Sequence, residues 1–373
     1  MRNFFCYGLL LFTLFLFFCD FAGASERIRV TFLNPGVSDT KGSTGSFWMM
    51  VNDFMQSAAQ DLDIELEVLF AERDHINMRD IGIAVTKRTV KPDYLVIVNE
   101  MLQAGPVVEA ANNAGIKTFL ILNTFTGKQA KAYGPPRTKY PHWIGSLVPN
   151  NFFAGYTIGK LLVEDAIQKK LVAADGKIHM VAIAGDHVTP ASVERVNGLN
   201  QALIESSNVE LKQTFYAQWR KDSAVNITIG ALHRYPEVSA IWCANDPIAL
   251  GAMQSAVGHD RIPGRDLLVG GLNWSIPALE MVKDGTMVTS VGGHFMTGGW
   301  ALVLLHDYHQ GKDFASLGTQ LNMKIFGAIT KKNVMDYLTH FSDQNWDKID
   351  FTRFSLDKAG AYEFSLEKIL EQF

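Results

Sequence analysis

The segment Val238–Ala252, VSAIWCANDPIALGA, constrains this chain more than any other. A short apolar strand, Ser239–Cys243, stops at Asn245-Asp246 and turns at once into a helix. Pro247 suits the first helical position and Asp246 the N-cap, and the small residues that follow let the helix lie close on a sheet. A strand that passes through a polar turn straight into a helix builds a βα unit. In open α/β sheets the carboxyl edge of such a strand faces the ligand crevice. Capping accounts for Asp246 but does not call for Asn245, whose amide both donates and accepts and so suits a hydroxylated small molecule.

The same unit recurs along the chain. Ile28–Leu33, Ile64–Phe70, Tyr94–Val98, Thr118–Leu122 and Trp143–Leu147 read as short strands rich in Ile, Val, Leu and Phe, as parallel strands buried on both faces are. Helical spacing separates them, as in Phe47, Trp48, Val51, Phe54, Met55, Ala58 and Leu62, and again in Pro106–Ala114. After Pro149-Asn150-Asn151 comes a long amphipathic helix, Phe152–Gln168. A second set follows, with strands at Ile178–Ala184, Glu210–Tyr216, Ser239–Cys243, Leu267–Gly271 and Met287–Val291. Two α/β units of similar size therefore stand in tandem. The tail reads as a helix at Gly298–Gln310, a strand at Gln320–Phe326, a helix at Asn333–Phe341 and an added surface segment from Asp343 onward. Gly127–His142, with its lysines and Pro135-Pro136, reads as a long solvated loop, either plain or an interaction surface.

The first residues read as an export signal. Arg2 gives a positive start, Phe4–Phe18 is an apolar run, and Ala22-Gly23-Ala24 fits a cleavage site, so the mature chain is expected to begin near Ser25. The run is shorter than the about twenty residues that span a bilayer. Phe18 before Cys19 is not the small residue that lipid attachment needs. Loss of Cys6 and Cys19 with the leader leaves only Cys243, inside an apolar strand, so no internal disulfide is expected. The formal net charge of −4 argues against nucleic acid as a partner.

Motifs for catalysis and cofactors are missing. The chain has no G-x-G-x-x-G, P-loop, G-x-S-x-G or H-E-x-x-H pattern, and no cysteine spacing for zinc. His306 and His309 read as exposed helix histidines, and a lone Cys243 in an apolar run as core. No catalytic residue, metal or cofactor is expected.

Several strand ends instead carry groups suited to one small ligand. Phe47 and Trp48 follow the Gly/Ser/Thr-rich segment after the first strand, and Asn123 follows the fourth. In the second unit Arg195 lies in the first turns of a helix, while Trp219, Asn245, Asn273 and His294 each follow a strand. Aromatic faces beside amides, with one guanidinium, describe a carbohydrate pocket: sugar C–H faces stack on rings and hydroxyls demand placed partners.

Through S-F-W at 46–48, E-R-V-N-G at 194–198, A-N-D-P-I-A-L-G-A at 244–252 and G-L-N-W…K-D-G at 271–285, the chain resembles the type I periplasmic substrate-binding proteins of sugar ABC transporters. It is similar also to the quorum-sensing autoinducer-2 receptors of that superfamily. The resemblance covers about Ile28 to Phe326. It implies two Rossmann-like parallel-sheet α/β lobes joined by a three-segment hinge, with crossings near Val148–Asn150, Gly292–His294 and Ala315–Thr319. The implied division is a signal peptide at 1–24, an N-terminal lobe of 25–148 and 294–316, a C-terminal lobe of 149–293 and 317–342, and an extension at 343–373. It further implies that Phe47, Trp48 and Asn123 clamp the ligand from one lobe and Arg195, Trp219 and Asn245 from the other, with Trp48 and Trp219 on opposite walls. Asn273 stands where sugar binders usually have Asp, and Gly293 where they usually have Gln, with His294 beside it; no Arg stands near Gly293 as the autoinducer receptors would place one. The implied role is a monomeric periplasmic receptor, not an enzyme, that delivers a sugar or related polyol to an ABC permease in the inner membrane. The alternative is a receptor that reports to a membrane sensor protein.

Overall fold

The structure, a computed structural model, describes residues 27–39 and 46–373. The expected leader and the segment 40–45 lie outside the described residues. Strands β1 (Ile28–Asn34), β2 (Ile64–Phe70), β3 (Tyr94–Ile97), β4 (Lys117–Ile121) and β5 (Trp143–Pro149) come first. Strands β6 (Ile178–Ala184), β7 (Val209–Tyr216), β8 (Ala240–Cys243), β9 (Leu268–Leu272) and β10 (Thr289–Gly292) repeat the pattern, and β11 (Gln320–Met323) and β12 (Gly327–Thr330) end it. They form two sheets of matching order, β11-β5-β4-β3-β1-β2 and β12-β10-β9-β8-β6-β7. Every pairing is parallel except β10 with β12. In both sheets the order turns back on itself beside the first strand of the unit, and that reversal opens the crevice where doubly wound sheets bind ligands.

Burial explains why these runs become parallel strands. Every residue of β3, β6, β8, β9 and β10 is buried, because helices cover both faces. Cys243 is buried in β8, and burial, with Asp246 nearby, pushes its thiol well up. No helix among the described residues is long and apolar enough to cross a membrane.

The chain leaves the first sheet after β5, entering the helix Asn151–Gln168 that backs β8–β10. It returns after β10 through Gly293 into the helix Thr297–His309, which packs on the helix Phe47–Asp61 and on β4 and β5. The third crossing lies later than Ala315–Thr319. Gln320–Met323 pairs with β5, so the chain stays with the first sheet through Met323 and crosses at 324–326. Residues 317–323 thus belong with the first unit, not the second. The run read as one strand, Gln320–Phe326, is in fact the whole of β11 and the crossing, with the separate strand β12 beyond it. Four-residue strands are too short for periodicity to separate them.

Of the two segments expected on the surface, 127–142 stays largely exposed though partly ordered as a helix, and the tail is packed. Gly127–Tyr133 is helical, Tyr133 stacks on Phe125 at 4.5 Å, and Arg137 donates to both Asp313 oxygens and to the Ile144 carbonyl. Beyond Asp343, the side chains of Trp346, Phe351, Phe354, Tyr362, Phe364 and Ile369 are buried. Phe364 lies flat on Trp300 at 4.9 Å, and Phe54 meets Phe351 edge-on at 5.0 Å. This tail closes the aromatic core of the first lobe. Its scattered aromatics gave no periodic signal because the short helices of this segment present single rings, not a stripe.

The helices Asn151–Gln168 and Pro190–Ile204 touch backbone to backbone. A Cβ on Gly155 would stand 1.9 Å from the Arg195 carbonyl oxygen, and one on Gly198 1.9 Å from that of Phe152. Gly155→Ala should therefore force the helices apart and cost about 1–3 kcal/mol or more, the scale of overpacking. Gly230→Ala, where a Cβ meets nothing within 4 Å, should instead stabilise its helix by about 0.5–1 kcal/mol. Urea denaturation of the two variants checks both signs.

Asp307 anchors the tail, accepting from Ser355 Oγ at 2.5 Å, Leu356 N at 2.8 Å and Tyr362 Oη at 2.9 Å. Burial alone would raise its pKa, but His306 and these donors outweigh that and hold it at about 2. A depressed carboxylate stabilises the fold above its unfolded value near 3.8 and loses that contribution as pH falls through about 2. The melting temperature of wild type should accordingly drop more steeply between about pH 4 and pH 2 than that of Asp307→Asn. Equal slopes would show that Asp307 does not hold the tail.

Candidate ligand-binding site

The carboxyl ends of the two sheets enclose a cavity of about 80 Å³. All eight residues singled out in the sequence line it: Phe47, Trp48, Asn123, Arg195, Trp219, Asn245, Asn273 and His294. Arg73, Glu100, Leu122, Pro149, Asn151, Thr189 and Ala191 complete the wall.

The first lobe supplies the ring surface. Phe47 and Trp48 open the helix after β1, and Asn34 Nδ2 donates to the Trp48 carbonyl at 3.1 Å to fix that turn. Phe47 meets Trp48 edge-on at 5.0 Å and stacks on His294 at 4.4 Å. Asn123 follows β4, and its Oδ1 accepts from Ala191 N at 3.1 Å, a bond from one lobe to the other.

Arg195 is the pivot of the second lobe. It is 4% exposed; its Nε donates to Asn151 Oδ1 and its Nη1 to the Ala244 carbonyl, both at 2.9 Å. Its guanidinium also lies 5.6 Å from the Trp219 ring and 5.8 Å from Phe326. Burial pushes its pKa down to about 9, so it keeps its charge at neutral pH. Arg195 is part of the packed core as well as of the site. The helix contact through Gly155 and Gly198 seats it too deep to be a free arm. Trp219 follows β7 at positive φ, with Nε1 donating to Asp186 Oδ2 at 2.7 Å. Trp48 and Trp219 therefore reach the cavity from different sheets.

The capping role expected of Asp246 falls to Asn245. Asn245 is the N-cap: its Oδ1 accepts from Ile248 N at 2.9 Å and its Nδ2 donates to the Trp219 carbonyl at 3.1 Å. Asp246 is wholly buried and accepts from Ser275 N at 2.8 Å, Ser275 Oγ at 2.9 Å and Ser290 Oγ at 2.9 Å. Burial pushes its pKa up to about 6 against these donors. A capping amide suits the turn as well as a carboxylate does, so sequence alone leaves the choice open.

Asn273 stands at φ 149°, and its side chain has no protein partner among the described residues. His294 is 3% exposed with Nδ1 unpartnered; burial and then the Arg195 charge push its pKa well down, so the imidazole is neutral. Sequence reasoning passed over the Arg73–Glu100 ion pair, 3.0 Å apart. Each of the two lies three residues past a strand end, after β2 and β3, so the rule that selected Asn123 applies to them as well. Asp175, His179 and Glu210 form the one metal-ligand grouping among the described residues, at the amino ends of β6 and β7, away from the cavity. Lys177 and Lys212 already pair with both Glu210 oxygens.

Arg195→Ala would leave Asn151 Oδ1 and the Ala244 carbonyl unpaired, at about 1–3 kcal/mol each. Its melting temperature without ligand should fall by several degrees, whereas Asn273→Ala, which removes no protein bond, should melt close to wild type. Unchanged melting of Arg195→Ala would refute the pivot.

The family described as periplasmic binding protein domain matches residues 39–313. The crystal structure of a periplasmic sugar-binding protein from Pseudomonas fluorescens is 36% identical with a TM-score of 0.80, covering 92% of this chain and 99% of that one. The D-allose-binding periplasmic protein of Escherichia coli is 33% identical over 123 residues, spanning 33% of this chain but 38% of that protein. The ribose import binding protein of Salmonella typhimurium is 24% identical over 252 residues, 66% of this chain and 74% of that protein.

Proposed function

This chain belongs to the periplasmic binding protein family, and from that premise we propose that it captures one sugar or related polyol between its lobes in the periplasm for an ABC permease. The observation that carries the reading is the enclosed cavity between the sheets, walled by Phe47, Trp48 and Trp219 rings beside Asn123, Asn273 and Arg195. A water-sized group needs roughly 10–15 Å³, so a cavity of about 80 Å³ suits one small monosaccharide. The crossings at 149–151, 292–294 and 324–326 act as the hinge, and closure on ligand is the signal a partner senses. The alternative of reporting to a membrane sensor drew on the 127–142 segment and the tail. The tail is packed within the fold and lends it no support, whereas 127–142 stays largely exposed. The protein works as a monomer without cofactor.

Calorimetry with D-ribose, D-allose, D-galactose and their sugar acids should give one-to-one binding by at least one of them. Trp48→Ala or Trp219→Ala should then weaken binding by about 1–3 kcal/mol, the scale of a buried apolar side chain. No binding across such a panel, or full affinity in both variants, would refute the reading.

A further inference from the structure

The cavity carries one positive charge that no acid among the described residues neutralises. No carboxylate among the described residues pairs with Arg195; its protein partners are an amide oxygen and a carbonyl. Glu100, the one acid lining the cavity, is matched by Arg73. Asp186 and Asp246 do not line it, and their oxygens are taken by backbone, hydroxyl and indole donors.

Free acceptors are scarce as well. Asn245 uses both ends of its amide on the protein, and so does Asn151, which donates to the Pro149 carbonyl. Asn123 uses its oxygen on Ala191 and keeps only its donor. Arg195 Nη2 has no protein partner among the described residues. Asn273 Oδ1, the second oxygen of Glu100 and the unprotonated nitrogen of the neutral His294 ring are among the few side-chain acceptors left. A hydroxyl offers one donor and two acceptor lone pairs but no charge. A neutral polyol would therefore leave the buried guanidinium uncompensated, which is costly in a closed cleft. A carboxylate accepts only, and its charge-assisted bonds are about twice as strong as neutral ones.

We propose that the ligand is an acidic monosaccharide, an aldonate or uronate, whose single carboxylate sits against Arg195 while its hydroxyls meet Asn273, Asn123 and Glu100. One unbalanced positive charge matches a monoanion and not the two charges of a phosphate ester. This rests on the sugar-capture reading and narrows it.

The test is calorimetry on the full mature chain with matched pairs: D-galacturonate against D-galactose, D-gluconate against D-glucose, D-ribonate against D-ribose, with D-galactose 6-phosphate beside them. At least one acid should bind tenfold or more tighter than its neutral parent. Asn273→Asp, which disturbs no protein bond, should place a second anion in the cavity and weaken the acid at least tenfold more than it weakens the neutral parent. Arg195→Gln should abolish the preference if its melt shows a folded chain, and Asn273→Asp decides where it does not. A neutral sugar that binds as tightly as its acid overturns the proposal and leaves sugar capture standing. Tightest binding by the phosphate ester overturns the carboxylate assignment. No binding by any of them overturns both readings.

Discussion

The buried guanidinium of Arg195 holds the second lobe's wall of the site together. It ties the start of the helix Asn151–Gln168, through Asn151, to the end of β8, through Ala244, while itself belonging to a third element. Three separate stretches of chain therefore converge on one planar, rigid set of donors. That convergence needs two helices in backbone contact, which only the absence of side chains at Gly155 and Gly198 permits. Burying a charge is unfavourable in isolation, so the fold accepts a cost here that packing elsewhere must offset. Such a cost is reasonable where an unsatisfied group awaits something from outside.

The two lobes are braced differently. The first is closed by its own tail, with Phe54, Trp300, Trp346, Phe351 and Phe364 in edge and stacked contacts and Asp307 pinning three donors from the tail. The second is closed by fully buried strands and by helices in direct contact. The first brace lies away from the cleft, and the second reaches it at Arg195. Across the cleft the contacts are few and polar, such as Asn123 Oδ1 with Ala191 N. Stiff bodies with a lightly bonded gap suit a hinge, because a ligand that touches both lobes then adds a large fraction of the closing free energy.

Much of this was legible because parallel strands buried on both faces read as short apolar runs, and because strand ends in such sheets face one crevice. Asn123, Asn245 and Asn273 were found from their place after a strand, without knowledge of any contact. What stayed hidden has physical reasons. Whether Asn245 or Asp246 caps the helix depends on Ser275 and Ser290, some thirty to forty residues away, which give Asp246 its partners. The burial of Arg195 depends on the contact between two helices. The division of 320–330 into strands of opposite sheets depends on pairing with β5 and β10, and four residues carry no period that announces a partner. The tail's rings are spaced for a partner surface, not for a regular element of their own.

The same hidden feature bears on specificity. Polar residues at strand ends show that a site exists, yet its selectivity follows from which of their atoms the protein has already used. Asn245 looks in sequence like the best ligand contact and is spent on the helix cap and on Trp219. Asn273 looks like its equal and is wholly uncommitted. Counting residue types would describe an amide-rich pocket with balanced donors and acceptors. Counting free atoms describes a donor-rich pocket around a charge, and it is the free atoms that a ligand meets.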